Sequence, residues 1–132
     1  MDPSMIVAGT AVPAPLAALV AAPARLRLSN LRDRRFAVHM RCEAACFVSA
    51  RLALDARSSH RTGLTRRSGV AASIGRARAV RTTATSFALT IEVTPRALRA
   101  LKRLRRARLR LRVSATGATR SASLERSISY LR

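Results

Sequence analysis

The chain has 132 residues, the length of one domain, and its apolar content of 48% argues against global disorder. It carries 26 basic and 6 acidic residues, a formal charge of +20 that is typical of proteins contacting polyanions. Lys102 is the only lysine, however, and abundant arginine and alanine together also fit a genome rich in G and C. Charge alone therefore does not indicate nucleic-acid binding.

Residues 1–24 differ from the rest of the chain. Their long apolar stretch is interrupted by prolines and is at the short limit for crossing a bilayer, so we expect no transmembrane span. Asp2 is the only charged residue in this segment, whereas a secretory signal begins with a basic region. We interpret residues 1–24 as a Pro/Ala-rich linker or a degenerate signal segment, and place the folded domain at residues 25–132.

Apolar residues alternate with polar ones from Arg25 onward, the period of half-buried strands. A short strand surrounds Leu26. A second strand ends at Cys42, and after three residues the alternation restarts at Cys46 and continues to Leu54. Both cysteines fall on the apolar face, so this pattern predicts a hairpin whose mouth lies between Cys42 and Cys46.

The two cysteines do not fit a metal site. A structural zinc ion needs about four ligands, and His39 and His60 are the only histidines. Cysteines opposed across a tight connection can approach to the Cα separation of about 5.5 Å that a disulfide requires. We favour a Cys42–Cys46 disulfide, with two buried free thiols as the alternative. A disulfide would place the protein outside the cytosol and would fix the register of the hairpin.

The middle of the chain gives weaker signals. Residues 56–62 fit one helical turn ended by Gly63, and residues 70–74 form a weak strand broken by Gly75. Residues 76–84 fit either a strand or an exposed loop. The alternation from Phe87 to Val93 then predicts the clearest strand of the chain.

The period changes at Thr94-Pro95, where Thr94 suits an N-cap and Pro95 the first helical position. Leucines at three-residue spacing predict a helix of about twelve residues. Alternation returns over residues 109–115, and a turn near Gly117 leads to a last strand. About seven strands with one crossover helix predict a mainly β, Greek-key β-sandwich.

No catalytic set is recognisable. The six carboxylates are scattered, and neither a Gly-x-Ser-x-Gly elbow nor a glycine-rich phosphate loop is present. We therefore predict no enzymatic activity, no cofactor, no metal and no small-molecule substrate. The basic helix and the strand after it could form a polyanion-binding face. Its predicted residues are Arg99, Lys102, Arg103, Arg105, Arg106, Arg108, Arg110 and Arg112. Because outward-facing aromatics are scarce, we expect this attraction to be non-specific.

The run from Phe36 to Leu52, with two cysteines separated by Glu43-Ala44-Ala45, resembles an Ig-like (fibronectin type III-like) module that recurs in actinobacterial extracellular proteins. The later elements match that module in order, although the final turn at 116–120 is shortened. The resemblance covers about residues 25–132 and implies an Ig-like β-sandwich that is secreted or held at the cell surface.

The resemblance implies a spacer, adhesion-type or interaction role as an accessory domain. Neighbouring domains or cell-envelope components would be its partners. The alternative is a cytoplasmic basic protein that binds nucleic acid through its Arg-rich face. A third interpretation is a module that holds anionic wall polymers or polysaccharide.

Overall fold

The computed structural model describes residues 16–132, which form eight strands, two α-helices and a short 3₁₀ turn. The strands are β1 (Ala17–Ala21), β2 (Arg25–Arg27), β3 (Arg35–Cys42), β4 (Cys46–Leu54), β5 (Ala72–Arg81), β6 (Thr85–Val93), β7 (Arg106–Thr116) and β8 (Ser121–Leu131). The 3₁₀ turn spans Leu28–Asn30, and the helices are α1 (Ala56–Arg61) and α2 (Pro95–Lys102).

The strands are hydrogen-bonded in the order β1-β3-β6-β5-β4-β7-β8-β2. Strands β5 and β6 pair only at Gly75 with Val93 and at Arg76 with Glu92, so the sheet divides there into two layers. We call β1, β3 and β6 sheet I, and β5, β4, β7, β8 and β2 sheet II. Alternate residues of both sheets are buried in one shared core, as expected for a β-sandwich.

The first part of the chain contributes to both sheets. Strand β1 pairs antiparallel with β3 in sheet I, and β2 pairs parallel with β8 in sheet II. Leu16 and Ala17 are buried in the core, so the sandwich begins before the predicted boundary at residue 25. The linker-or-signal interpretation rests largely on residues 1–15, which lie outside the described part of the chain, and it stays a prediction.

The predicted hairpin between Cys42 and Cys46 is wrong. Strand β3 pairs with β1 and β6, whereas β4 pairs with β5 and β7, so the connection crosses from sheet I to sheet II. The alternation was correct for each strand, but two strands joined by a short link need not pair with each other. The disulfide itself is present, with Cα atoms 6.6 Å apart, and it links the two sheets. It therefore does not set a hairpin register.

Strand β5 settles the ambiguous segment. Residues 72–81 form one strand with a register shift against β4, and Gly75 lies within it rather than ending it. A Cβ at position 75 would lie 3.0 Å from the backbone oxygen of Glu92, so the glycine allows β5 to approach β6 where the sheets meet.

Helix α2 is shorter than predicted, with 8 residues instead of about twelve. Thr94 caps it as expected, since its hydroxyl accepts a hydrogen bond from the Ala97 N–H at 3.2 Å. Leu104, the last leucine of the stripe, is buried beyond the helix end. The Tyr130 hydroxyl donates to the Leu101 carbonyl at 2.8 Å, which anchors α2 on β8. Burial raises the pKa of Tyr130, partly offset by Arg132, so the donor stays protonated.

Helix α1 matches its prediction. It ends just before Gly63, which has a φ of +76° that favours glycine. Asp55 caps its start and accepts a hydrogen bond from the Ser58 N–H at 2.7 Å. A second carboxylate oxygen of Asp55 accepts from the Arg108 N–H at 3.0 Å. Asp55 thus joins β4, α1 and β7 at one end of sheet II.

Candidate anion-binding face

The outer surface of sheet II carries arginines on three adjacent strands. Arg51 on β4 lies directly opposite Arg76 on β5 and Arg112 on β7, so the three form one row across the sheet. In a neighbouring row, Ser49 lies between Arg78 and Ser114. The rows arise because side chains of a strand alternate between its two faces, and the inward positions are apolar.

These two rows surround a shallow depression of about 320 Å³. We call it the arginine depression. Its lining residues are Ser49, Ala50, Arg51, Arg76, Ala77, Arg78, Arg112 and Ser114. The short side chains of Ser49 and Ser114 lie beside the longer arginines of the neighbouring row, so the surface is recessed there. No carboxylate lines it.

The middle of this row has no acidic neighbour. Within residues 16–132, Arg51, Arg76 and Arg78 have no hydrogen-bond or ion-pair partner from their side chains. Glu125 on β8 lies 3.0 Å from Arg110 Nε and 3.8 Å from an Arg112 terminal nitrogen. Glu92 on β6 lies directly opposite Arg76 at the other end of the row, so the acidic neighbours stand at the two ends and Arg51 in the middle has an arginine on each side. Like charges directly opposite on neighbouring strands are destabilising, so the two arginine pairs made by Arg51 cost stability in the isolated fold.

The structure separates the predicted basic residues into two groups. Arg108, Arg110 and Arg112 alternate along β7 and are exposed on the outer surface of sheet II, as the periodicity predicted, and Arg106, which was expected on the helix, is the first residue of the same strand. Arg99, Lys102, Arg103 and Arg105 lie on or just after α2, and none of them lines the arginine depression.

Two arginines near α2 have structural partners. Arg103 donates to the Thr62 carbonyl at 2.8 Å, and Arg96 donates to the Gly63 carbonyl at 2.9 Å. Both acceptors follow the end of α1, where carbonyl groups lack helical partners. These side chains hold α2 against the loop after α1, so the guanidinium of Arg103 is already engaged.

Arg51, Arg76 and Arg78 are not among the binding residues predicted from the sequence. Arg51 alternates outward on its strand, which was a usable signal, but Arg76 and Arg78 fall in the segment that fitted either a strand or a loop. That Arg51 meets Arg76 and Arg112 depends on strand order and register, which alternation within one strand does not contain.

Asp55, the cap of α1, has a pKa that the fold shifts. Burial raises the pKa of Asp55, but hydrogen bonds from Ser58 and Arg108 and the charge of Arg57 more than offset this, so its pKa lies below the ordinary value. Among residues 16–132, no three His, Cys, Asp or Glu side chains are grouped as metal ligands would be. In the same part of the chain, neither helix has the length and apolar character needed to span a membrane.

Comparison with known proteins identifies the fold. No protein-family model matches the chain, and no curated protein matches it in sequence. The crystal structure of the periplasmic chaperone SfaE is similar, with a TM-score of 0.55 over 87% of this chain and 57% of the chaperone chain. This chain thus spans little more than half of that protein, and the two are 10% identical in sequence.

At this identity the likeness concerns the fold alone. It confirms the predicted Ig-like β-sandwich, in which the chain places one helix between β6 and β7. The predicted Cys42–Cys46 disulfide is confirmed as well. A recurrence of this module in actinobacterial extracellular proteins stays a prediction.

Proposed function

We propose that the chain is a non-catalytic accessory module of an exported protein, acting as a structural, adhesion-type or interaction domain at the cell exterior. Its partners would be neighbouring domains or cell-envelope components. The observation that carries this proposal is the Cys42–Cys46 disulfide between the two sheets. Disulfides persist in oxidising compartments and are rare in the cytosol, so this bond favours export.

The architecture supports an interaction role in preference to catalysis. Three polar side chains of the described chain serve the fold: Asp55 and Thr94 cap helices, and Tyr130 anchors α2. The unpartnered guanidinium groups of sheet II are the chemically distinctive surface. Such a surface attracts anionic partners, and fold alone says nothing further about their identity.

Nucleic-acid binding is the second candidate, favoured by the net charge of +20. Sheet II offers little for reading or stacking on bases, however. Phe47 is the aromatic residue on its outer surface, 44% exposed and opposite Val80 rather than within the arginine rows. Sequence-tolerant binding of single strands relies on several stacking platforms. Binding through this surface would therefore be electrostatic and non-specific.

A thiol measurement tests export. Protein extracted from its native cells into an alkylating reagent should show no alkylated cysteine, whereas a reduced control sample should show both Cys42 and Cys46 alkylated. The expected result follows from a disulfide formed in an oxidising compartment. Two alkylated cysteines in the unreduced sample would contradict the proposal.

A binding measurement tests the second candidate. Affinity for a random-sequence DNA duplex should fall by about 10³-fold or more between 50 mM and 200 mM salt if six or more phosphate contacts supply all of it. Sub-micromolar binding that persists at physiological salt would instead favour the nucleic-acid function.

A further inference from the structure

We propose that the arginine depression binds the sulfate or phosphate ester groups of an anionic polysaccharide. This inference rests on the proposed function, in that it names a partner for an exterior interaction module. The arginine depression is separate from helix α2, because its lining residues belong to β4, β5 and β7.

The hydrogen-bonding chemistry of the depression selects a tetrahedral oxyanion. Arg51, Arg76, Arg78 and Arg112 contribute guanidinium groups, which donate hydrogen bonds and accept none. The hydroxyls of Ser49 and Ser114 can turn to donate. A neutral sugar needs acceptors as well as donors, whereas a sulfate or phosphate ester offers several oxygens that accept. Planar guanidinium groups bind such oxygens in pairs.

The arginine row is not accounted for by composition alone. The outer surface of sheet I comes from the same arginine-rich chain, yet its arginines have acidic partners. Arg35 lies 3.5 Å from Glu92, and Arg41 lies 3.0 Å from Glu43. On sheet II, Arg51 lies between two other arginines. A row that costs stability in the free protein would be neutralised by a bound anion.

The extension of the basic surface along β7 favours a polymer over a single small anion. From Arg112, the side chains of Arg110 and Arg108 continue outward at every second residue, about 6.6–6.8 Å apart along the strand. A chain of ester groups could therefore contact the depression and then follow β7. Glu125 limits this path because it already binds Arg110.

A polysaccharide fits this surface better than nucleic acid does. The arginine depression is shallow and lies on a sheet, with no helix to enter a major groove and no aromatic residue in its lining for base stacking. Flexible ester-bearing sugars need neither feature. Duplex DNA would contact the sheet through its backbone only.

The test uses oxidised full chain and fluorescently labelled dextrans of one length, bearing sulfate, phosphate or carboxymethyl groups, with a random DNA duplex in parallel. Binding is measured by anisotropy at 0.15 M ionic strength, where the Debye length of about 8 Å screens distant charges. We expect the sulfated or the phosphorylated dextran to bind more tightly than the carboxymethyl dextran and the DNA. Whichever ester binds more tightly identifies the source of the oxyanion.

Two double variants of equal charge localise the binding. Arg51→Gln with Arg76→Gln should weaken ester-dextran binding about tenfold, because two charge-assisted donors are lost. The slope of log affinity against log salt should also fall by about one unit for each arginine. The control, Arg99→Gln with Arg105→Gln, removes the same charge near α2 and should change affinity less than about threefold.

A third variant should strengthen the binding of ester dextran instead of weakening it. Glu125→Gln removes the acid beside Arg112 and should strengthen ester-dextran binding about threefold through lost repulsion. The melting temperature should rise, not fall, in the single variant Arg51→Gln, since the repulsion of Arg51 by Arg76 and Arg112 is removed.

Several outcomes would overturn the inference. The first is that neither ester dextran binds, and the second is that both double variants lose the same affinity for the ester dextran. The others are that carboxymethyl dextran binds as tightly as the ester dextrans, or that duplex DNA binds more tightly than they do. These results would leave the proposed export intact, because the alkylation measurement does not involve the depression. Free thiols in native cells would contradict export without changing the dextran measurements.

Discussion

The inner surfaces of the two sheets are both apolar, whereas their outer surfaces differ in composition. Sheet II exposes the arginine depression of about 320 Å³, whereas sheet I exposes a depression of about 330 Å³ without any arginine in its lining. The lining of the latter is Val20, Ala21, His39, Met40, Ser86, Phe87 and Ala88. Folding requires apolar residues at inward positions only, so outward positions are free to differ. The two sheets therefore differ in the charge that these depressions present to solvent.

The largest expected effect tests whether the inner surfaces are equivalent. Leu52 on β4 and Leu89 on β6 are 0% and 2% exposed and belong to opposite sheets. Leu52→Ala and Leu89→Ala should each lower the free energy of unfolding by about 3 kcal/mol, because each leaves a cavity in the shared core. Urea denaturation should show one transition in both variants. Two separate transitions would mean that the sheets do not unfold together.

Removing the disulfide tests how strongly the sheets are joined. Cys42→Ala with Cys46→Ala should lower the free energy of unfolding by on the order of 2 kcal/mol, since the closed loop is short and the entropic gain is small. The measurement is urea denaturation beside the unreduced wild-type chain, with the reduced wild type as a control. An unchanged midpoint in the double variant would show that the cross-link between the sheets contributes nothing.

The helices that follow β4 and β6 differ in their caps. Asp55→Ala and Thr94→Ala should each cost about 1 kcal/mol near neutral pH, because each leaves helix N–H groups without an acceptor. Since the pKa of Asp55 is lowered on folding, its contribution is present above the ordinary value of 3.8 and is lost as pH falls below it.

Urea titrations at neutral and acidic pH distinguish these caps. The gap between Asp55→Ala and wild type should narrow in acid, whereas the gap for Thr94→Ala should persist because threonine carries no titrating group. Equal narrowing for both variants would contradict the assignment of the pH dependence to Asp55.

The sequence predicted the elements better than their arrangement. Alternation located β3, β4, β6, β7 and β8, and Thr94-Pro95 located α2, because these signals are local. The Cys42–Cys46 link was misread as a hairpin since local alternation cannot say which sheet a strand joins. Strand β1 was missed because its small apolar residues follow a proline-rich run that resembled a linker.

The candidate site was predicted only where a single strand forms it. Arg108, Arg110 and Arg112 alternate on β7 and could be grouped from spacing alone. Their meeting with Arg51 and Arg76 requires the register of β4 against both neighbours, a non-local property. The helical arginines were grouped with them through nearness in sequence, yet Arg103 is engaged by the Thr62 carbonyl.

The smallest expected effect is also the most direct test of the contrast between the outer surfaces. Arg51→Gln on sheet II should raise the free energy of unfolding by about 0.5 kcal/mol, because the repulsion of Arg51 by Arg76 and Arg112 is removed. Arg41→Gln on sheet I should lower it by no more than about 0.5 kcal/mol, since an exposed ion pair with Glu43 is lost. Both changes should shrink in 1 M salt, where charges are screened within about 3 Å. Shifts of the same sign in low salt would mean that arginine acts alike on both surfaces, and that Arg51 carries no electrostatic cost for a ligand to relieve.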